Sequence, residues 1–353
     1  MQLLEQTIAA ISGQDQAARQ RAKERLDQLI MPHWALGKLM DMALDLAGMT
    51  GSVRPPVRRR KIVAMAGDHG IAKSGVSLFP QEVTVQMAQG FIAGVAGVNV
   101  LARQSGTEVV LVDMGIAGEL DEKTAAAVID RKVARGTANF AEGPAMTRDQ
   151  AIQALEAGIA VAQELAADTD VFGTGELGIG NTSPSSAMVA TLCGIPVAAA
   201  VGRGTGLDDA QLQHKIRVLE NALALNAPDP ADPIDVLSKV GGFEIAGIAG
   251  LILGAAALKK PVVVDGFIST AGALLAGRIA PLSKDYMIAS HRSVEQGQVA
   301  ALKELGKEPL LDLNLRLGEG SGAAVAMNLV EGAVAVLTEM ATFAEAAVSQ
   351  AER

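Results

Sequence analysis

Short apolar runs along this chain repeatedly end in polar, glycine-rich loops, and that alternation restricts the fold more than any other feature. Ile62-Val63-Ala64-Met65-Ala66 opens into Gly67-Asp68-His69-Gly70, and Val109-Val110-Leu111-Val112 ends on Asp113. Val171-Phe172 leads into a glycine-rich stretch, and Val262-Val263-Val264 stops at Asp265-Gly266. Longer segments of helical period lie between these runs. Strands that are apolar throughout are buried on both faces, so the pattern predicts an α/β fold. The expected form is a Rossmann-like, predominantly parallel sheet with flanking helices.

The helical segments carry their own punctuation. Thr147 to Ala167 reads as a helix opened by a hydroxyl residue, with Asp149 and Gln150 in the first turn. Residues 1 to about 50 also read as helical until Gly51 to Pro56 interrupts them, with one helix expected over Trp34 to Met49. Residues 321 to 347 form an Ala-rich helical region, broken once. The expected organisation is an α/β nucleotide-binding and catalytic domain over 61–320, with a smaller helical domain from both chain ends, 1–60 and 321–353. Phe243 to Leu258 is almost wholly apolar, but it contains Glu244 and falls short of the ~20 residues of an ordinary membrane span. It reads as a buried helix, and no membrane association is expected.

Charge narrows the function. With 39 acidic and 30 basic side chains the chain carries a formal −9, which disfavours a broad nucleic-acid surface. A few local donors can still hold an anionic small ligand. The basic run Arg58-Arg59-Arg60-Lys61 reads as a solvated edge before the first strand. With 38 glycines against seven Phe, one Tyr and one Trp, close Ala/Gly helix packing should matter more than aromatic packing. Cys193 is the only cysteine, so no intrachain disulfide forms; it reads as buried and inert. The first residues lack the basic leader and long apolar core of a secretory signal, so a cytoplasmic location is expected.

In open α/β sheets, ligands bind beyond the carboxyl ends of the strands. The segment 173–182, Gly-Thr-Gly-Glu-Leu-Gly-Ile-Gly-Asn-Thr, reads as a loop whose amides cradle a phosphate, or as glycines needed only for a tight turn. Glu176 within it suits ribose hydroxyls or the orientation of a donor better than a phosphate. Gly202-Arg203-Gly204-Thr205-Gly206 is a second phosphate candidate, with Asp208 and Asp209 opening a helix that carries Lys215. That lysine is either a flexible cation for the ligand or a surface residue. Neither loop has GxxxxGK[ST] spacing, and no GxGxxG opens a suitable β-α-β unit. His69 and His291 lack a paired Cys/His cluster, so no metal is expected. Glu319 stands between glycines, after the strand-like Leu311-Asp312-Leu313 and before a helix from Ser321. It is either a turn or capping residue, or a carboxylate presented to the crevice.

Taken in order, these motifs closely resemble the nicotinate-nucleotide–dimethylbenzimidazole phosphoribosyltransferases of vitamin B12 biosynthesis. The resemblance rests on Ala66-Gly67-Asp68-His69-Gly70, Gly75-Val76-Ser77, Phe79-Pro80, Glu82-Val83-Thr84 and Gln86-Met87. It continues through Gly175 to Thr182, Gly202 to Gly206, Val264-Asp265-Gly266-Phe267 and Leu315-Arg316-Leu317-Gly318-Glu319-Gly320-Ser321-Gly322. It implies transfer of phosphoribose from nicotinate mononucleotide to 5,6-dimethylbenzimidazole, with no cofactor and a homodimeric enzyme. By motif, Glu319 is the implied base. Glu176, Gly178, Gly202, Arg203, Gly204 and Lys215 are implied nucleotide contacts, with Ser290 and His291 approaching the same crevice. Ser77, Phe79, Gln86, Met87 and Leu317 are implied at the lower base. The alternatives are transfer to another lower-ligand base, or a nucleotide sensor without catalysis.

Overall fold

The computed structural model of the protein describes residues 1–204 and 206–349. Thr205, in the second phosphate candidate, and residues 350–353 of the terminal helical region lie outside the described residues. Six strands form the central sheet: β1 (Arg60–Gly67), β2 (Glu108–Gly115), β3 (Ile129–Asp130), β4 (Val171–Leu177), β5 (Val262–Val264) and β6 (Met287–Ala289). Their order is β3-β2-β1-β4-β5-β6, and every neighbouring pair is parallel. The α/β expectation is met, with the all-parallel sheet flanked by helices. The chain builds outward from β1 to β3 and then crosses to β4, so the order reverses between β1 and β4. A crevice at such a reversal is where open α/β sheets take ligands. Two further strands, β7 (His291–Ser293) and β8 (Leu311–Leu315), pair in parallel as a small separate sheet.

Two local expectations are corrected. Strand β4 runs through Leu177, so most of the stretch read as a loop from Gly173 is strand, and only Gly178 to Asn181 turn. Its glycines make room rather than bend the chain. A Cβ on Gly173 would lie 2.9 Å from the Ile62 side chain, and one on Gly175 would overlap the Glu319 carbonyl oxygen. The basic run is not a solvated edge: Arg60 and Lys61 belong to β1 and are largely buried. Arg59 pairs with Asp170, Arg60 with Glu331, and Lys61 with Glu108 and Asp168, so the base of the sheet is stitched by charge.

The helix Phe243–Ala257 lies inside the protein, buried over all but its last residue. It crosses Arg148–Leu165, which begins with the expected capping box of Thr147 and Gln150. At that crossing the backbones themselves touch: a Cβ on Gly250 would overlap the Leu155 carbonyl oxygen, and one on Gly158 that of Gly247. Cys193 ends the helix Thr182–Cys193, where burial pushes its thiol up to about 11, far from a reactive thiolate.

The N-terminal helices are Gln2–Ala10, Gln16–Leu26 and Lys38–Thr50. The last begins four residues later than expected, because Trp34 takes a left-handed turn and its indole N–H donates to Asp41. The late helix Ser321–Glu339 packs on Lys38–Thr50, and also on Gly97–Gln104 and β4. Arg25 donates to the Leu337 carbonyl at 2.8 Å and Leu29 bridges to Thr342, which ties the two chain ends together. Two stretches, Glu82–Gln104 and Ser321–Glu339, are long and apolar enough to cross a membrane by length and composition. The first is interrupted between helices ending at Ile92 and starting at Gly97, and over half of the second is buried inside the protein.

The glycine crossing generates a stability prediction with an internal control. Gly250→Ala should lower unfolding free energy by about 1–3 kcal/mol, because the added methyl meets backbone that cannot retreat. Gly332→Ala, in the helix Ser321–Glu339 with nothing within 4 Å of the new carbon, should be neutral or stabilising by up to about 1 kcal/mol. Urea unfolding midpoints check both, and a neutral Gly250→Ala would contradict the packing described.

Candidate active site

The cleft opens beyond the carboxyl ends of β4 and β5 and is floored by Glu176, Gly178, Asp265 and Gly266. Met87, Leu317 and Glu319 stand on one side of it; Asn181, Thr182, Gly204, His291 and Glu295 also line it. The turn carrying Glu319 is unusual. Gly318, Glu319 and Gly320 all have positive φ, at 79°, 64° and 101°. Glycine accepts that conformation freely, whereas a glutamate there costs about 1–2 kcal/mol.

Two buried acids hold the turn. Asp265, just beyond β5, accepts from the backbone N–H groups of Gly320, Gly322 and Ala323 at 3.1, 2.7 and 3.1 Å. It thereby caps the helix Ser321–Glu339, satisfying amides that have no partner within the helix. Glu176, at the end of β4, accepts from the Glu319 N–H at 3.1 Å and from the Asn181 side-chain amide. A Cβ on Gly318 would overlap Glu176 Oε1, so only glycine lets the turn come this close. Burial pushes Glu176 up to about 8, and the Glu319 amide only partly opposes it. Burial likewise raises Asp265, against the charge of His291 and its bound amides.

The Glu319 side chain is 7% exposed, and its Oε2 accepts from the Val98 N–H at 3.1 Å. That amide belongs to the first turn of the helix Gly97–Gln104, whose positive end therefore faces the carboxylate. The helix beginning at Ser321 supplies no such amide to Glu319; its free N–H groups go to Asp265 instead. Burial still raises the Glu319 pKa, with the Val98 amide opposing the rise.

At the other end of the cleft, Lys215 is 1% exposed and donates to Thr182 Oγ1 at 2.7 Å. Burial pulls its ammonium down to about 8, against the favourable charge of Glu295. Gly204 N–H donates to Glu295 Oε1 at 3.0 Å. Of the sequence-predicted residues, Glu176, Gly178, Gly204, His291, Met87, Leu317 and Glu319 share the cleft wall, and Lys215 reaches it through Thr182. Gly202 lies behind, against Glu295. Ser290 is fully buried, its hydroxyl 3.0 Å from His291 Nδ1. Arg203 turns away to Asp209 and the Leu207 carbonyl. Phe79 is 50% exposed, Ser77 is half-buried, and Gln86 lines a neighbouring surface groove with Val85 and Gln89. None of these last three borders the cleft.

Asp265, Asn181 and Thr182 fall in strand-end segments that the sequence pointed to without giving those residues a role, whereas Glu295 and the Val98 amide were not assigned to the site at all. An acidic residue at the end of β5 was the available signal for Asp265, whereas a backbone amide leaves no trace in a sequence. The motif around His69 supports the site from beneath. His69 Nε2 lies 2.9 Å from Glu244 Oε1, both wholly buried. Asp68 accepts from Thr84 Oγ1 at 2.7 Å and from Ala117 N–H at 2.8 Å. Thr84 in turn accepts from Ile179 N–H, which pins the Gly178–Asn181 turn. Among the described residues no group of three or more His, Cys, Asp or Glu side chains is placed to hold a metal ion.

Comparison with known proteins fits this geometry. The sequence model of a family described as Phosphoribosyltransferase matches residues 11–348. A nicotinate-nucleotide–dimethylbenzimidazole phosphoribosyltransferase of Syntrophotalea carbinolica is 61% identical over 351 residues, 99% of each chain. One from Desulfotalea psychrophila is 56% identical over the whole of both chains. The crystal structure of CobT from Thermus thermophilus superimposes with a TM-score of 0.91 at 43% identity, covering 95% of this chain and 100% of that one.

The capping role of Asp265 predicts a specific failure. Asp265→Ala strips acceptors from three buried amides and should cost roughly 2–4 kcal/mol of stability. Thermal and denaturant unfolding would measure the loss; a change under about 0.5 kcal/mol would show that the turn holds itself.

Proposed function

The chain belongs to the nicotinate-nucleotide–dimethylbenzimidazole phosphoribosyltransferase family, and within that family's reaction we propose that Glu319 is the general base. The enzyme transfers phosphoribose from nicotinate mononucleotide to 5,6-dimethylbenzimidazole, yielding α-ribazole 5′-phosphate and nicotinate. The observation that carries the assignment is a buried carboxylate anchored through Oε2 on the Val98 amide, beside the apolar Met87 and Leu317. Leu317 is 57% exposed, so the apolar wall opens outward as a slot for a planar ring.

The chemistry follows from that arrangement. One azole nitrogen attacks ribose C1′ on the face opposite nicotinate. The C1′–N bond to nicotinate breaks, and its electron pair neutralises the pyridinium nitrogen. The second azole nitrogen loses its proton to Glu319 through Oε1, so the new glycoside is neutral. Attack on the opposite face turns a β-nucleotide into an α-product. Held by both ends, the reacting atoms gain from orientation and from fixed dipoles. Because the donor is a mononucleotide, no metal is needed to activate a pyrophosphate.

Lys215, Thr182 and the Gly202–Gly204 backbone form the phosphate end in this reading, with Glu176 and Gly178 beneath the ribose. Ser77, Phe79 and Gln86 would join Met87 and Leu317 at the base only by movement of their segment. The same resemblance supports a homodimer, for which exposed Phe79, Val95 and Val100 supply apolar surface. A lone cysteine suits a cytoplasmic location. A helical unit of 1–60 and 321–353 packed on a catalytic domain of 61–320 is our reading of the domains.

Glu319→Gln should keep the fold and lower turnover by roughly 10²–10⁴-fold, since an amide cannot accept the proton. Near-normal turnover at saturating substrates would sink the assignment. The base works ionised, and burial raises its pKa, so activity should fall with acidification at a pH above the ordinary carboxylate range. Lys215 works protonated, so the KM for nicotinate mononucleotide should rise as pH passes about 8. Lys215→Ala should raise that KM at neutral pH and flatten its pH dependence; an unchanged donor KM would remove the lysine from the phosphate end.

A further inference from the structure

Glu295 has no part in the chemistry above, yet it occupies the phosphate end. It lies in the turn between β7 and the helix Gly297–Leu305, 7% exposed. Its Oε1 takes the Gly204 amide, and its Oε2 is buried with no hydrogen-bond partner among the described residues. The carboxylate presses on the loop backbone so closely that a Cβ on Gly202 would overlap it. An ideal Cβ on Gly204 would lie 3.4 Å from Thr182 Oγ1 and 3.8 Å from Lys215 Nζ, so an amide, a hydroxyl and an ammonium gather at Gly204, with the carboxylate on the amide.

Those three donors are what a phosphate requires, and the carboxylate already holds one of them, the Gly204 amide. A phosphate dianion and a carboxylate cannot share a buried position, since like charges a few ångströms apart repel strongly where water is scarce. Without an anion, Lys215 would be a buried cation with no countercharge. We propose that Glu295 is an internal anion that occupies the phosphate position of the free enzyme and is displaced when the donor binds. The inference rests on reading Lys215 and Gly204 as the phosphate end. Arg316, also on the cleft wall, exerts a favourable charge on Glu295 and offers it an alternative partner. Arg203 does not compete, being tied to Asp209. A ligand then enters only if it brings charge enough to replace the carboxylate, so a nucleotide is favoured over the corresponding nucleoside.

The consequence is a tax on affinity: the apparent constant is the intrinsic one divided by the fraction of enzyme with its loop vacated. Glu295→Gln keeps the shape and the Gly204 bond but removes the charge. The expected result is a three- to tenfold lower KM for nicotinate mononucleotide, with a similarly lower Ki for inorganic phosphate competing against it. Glu295→Ala, checked for folding by circular dichroism, should move the phosphate Ki in the same direction. Values that rise or stay level in a folded variant would overturn the proposal, because the carboxylate would then be needed beside the donor or irrelevant to it. Lys215→Ala run in parallel separates the failures. If it weakens both ligands while Glu295→Gln tightens neither, only the inference about Glu295 falls. If Lys215→Ala changes neither constant, the phosphate end itself is misplaced and the inference falls with it.

Discussion

The structure around the cleft depends on one constraint: a glutamate has to be held in a left-handed turn that its own backbone resists. Gly318 and Gly320 make the turn possible, but they do not fix it. Fixation comes from Asp265 and Glu176, which bind four backbone N–H groups of the segment from opposite sides. Both acids stand at the ends of neighbouring parallel strands, so the sheet sets their spacing. The helix Ser321–Glu339 starts where it does because Asp265 is there to receive its first amides. Strain of this kind persists only where the surroundings over-determine it.

Electrostatics divides the cleft into two unlike halves. Near the ring slot, Glu176, Asp265 and Glu319 are three buried acids with raised pKa values. Burial pushes Glu176 up to about 8, while the Val98 amide opposes the rise at Glu319. At the far end, a single buried lysine faces a single buried glutamate. The two ends are joined by the β7–β8 pair, since Glu295 follows the first strand and Glu319 the second.

The sequence made legible whatever is written in side-chain pattern. The apolar runs located β1, β2, β4 and β5, the Thr147 and Gln150 box located a helix start, and flanking glycines singled out Glu319. It misled where one residue type serves two purposes. The glycines of 173–177 resembled a turn but are strand residues that admit the Glu319 backbone, and Arg60 and Lys61 resembled a solvated edge but are buried against acids from distant segments. It was silent where the backbone acts, as at the Val98 amide. It also did not reveal Glu295, whose relevance arises only when the turn after β7 is brought onto Gly204.

The crossing of Phe243–Ala257 with Arg148–Leu165 bears on how such a protein can change over time. Contacts between side chains can drift, because a loss on one helix can be compensated by a gain on the other. Where Gly158 and Gly250 bring main chain onto main chain, there is no smaller residue to move to and no neighbour able to yield. That crossing fixes how closely the two helices approach. Leu317, on the cleft wall and 57% exposed, has no such restriction, so that wall can change shape while the helix crossing stays as it is.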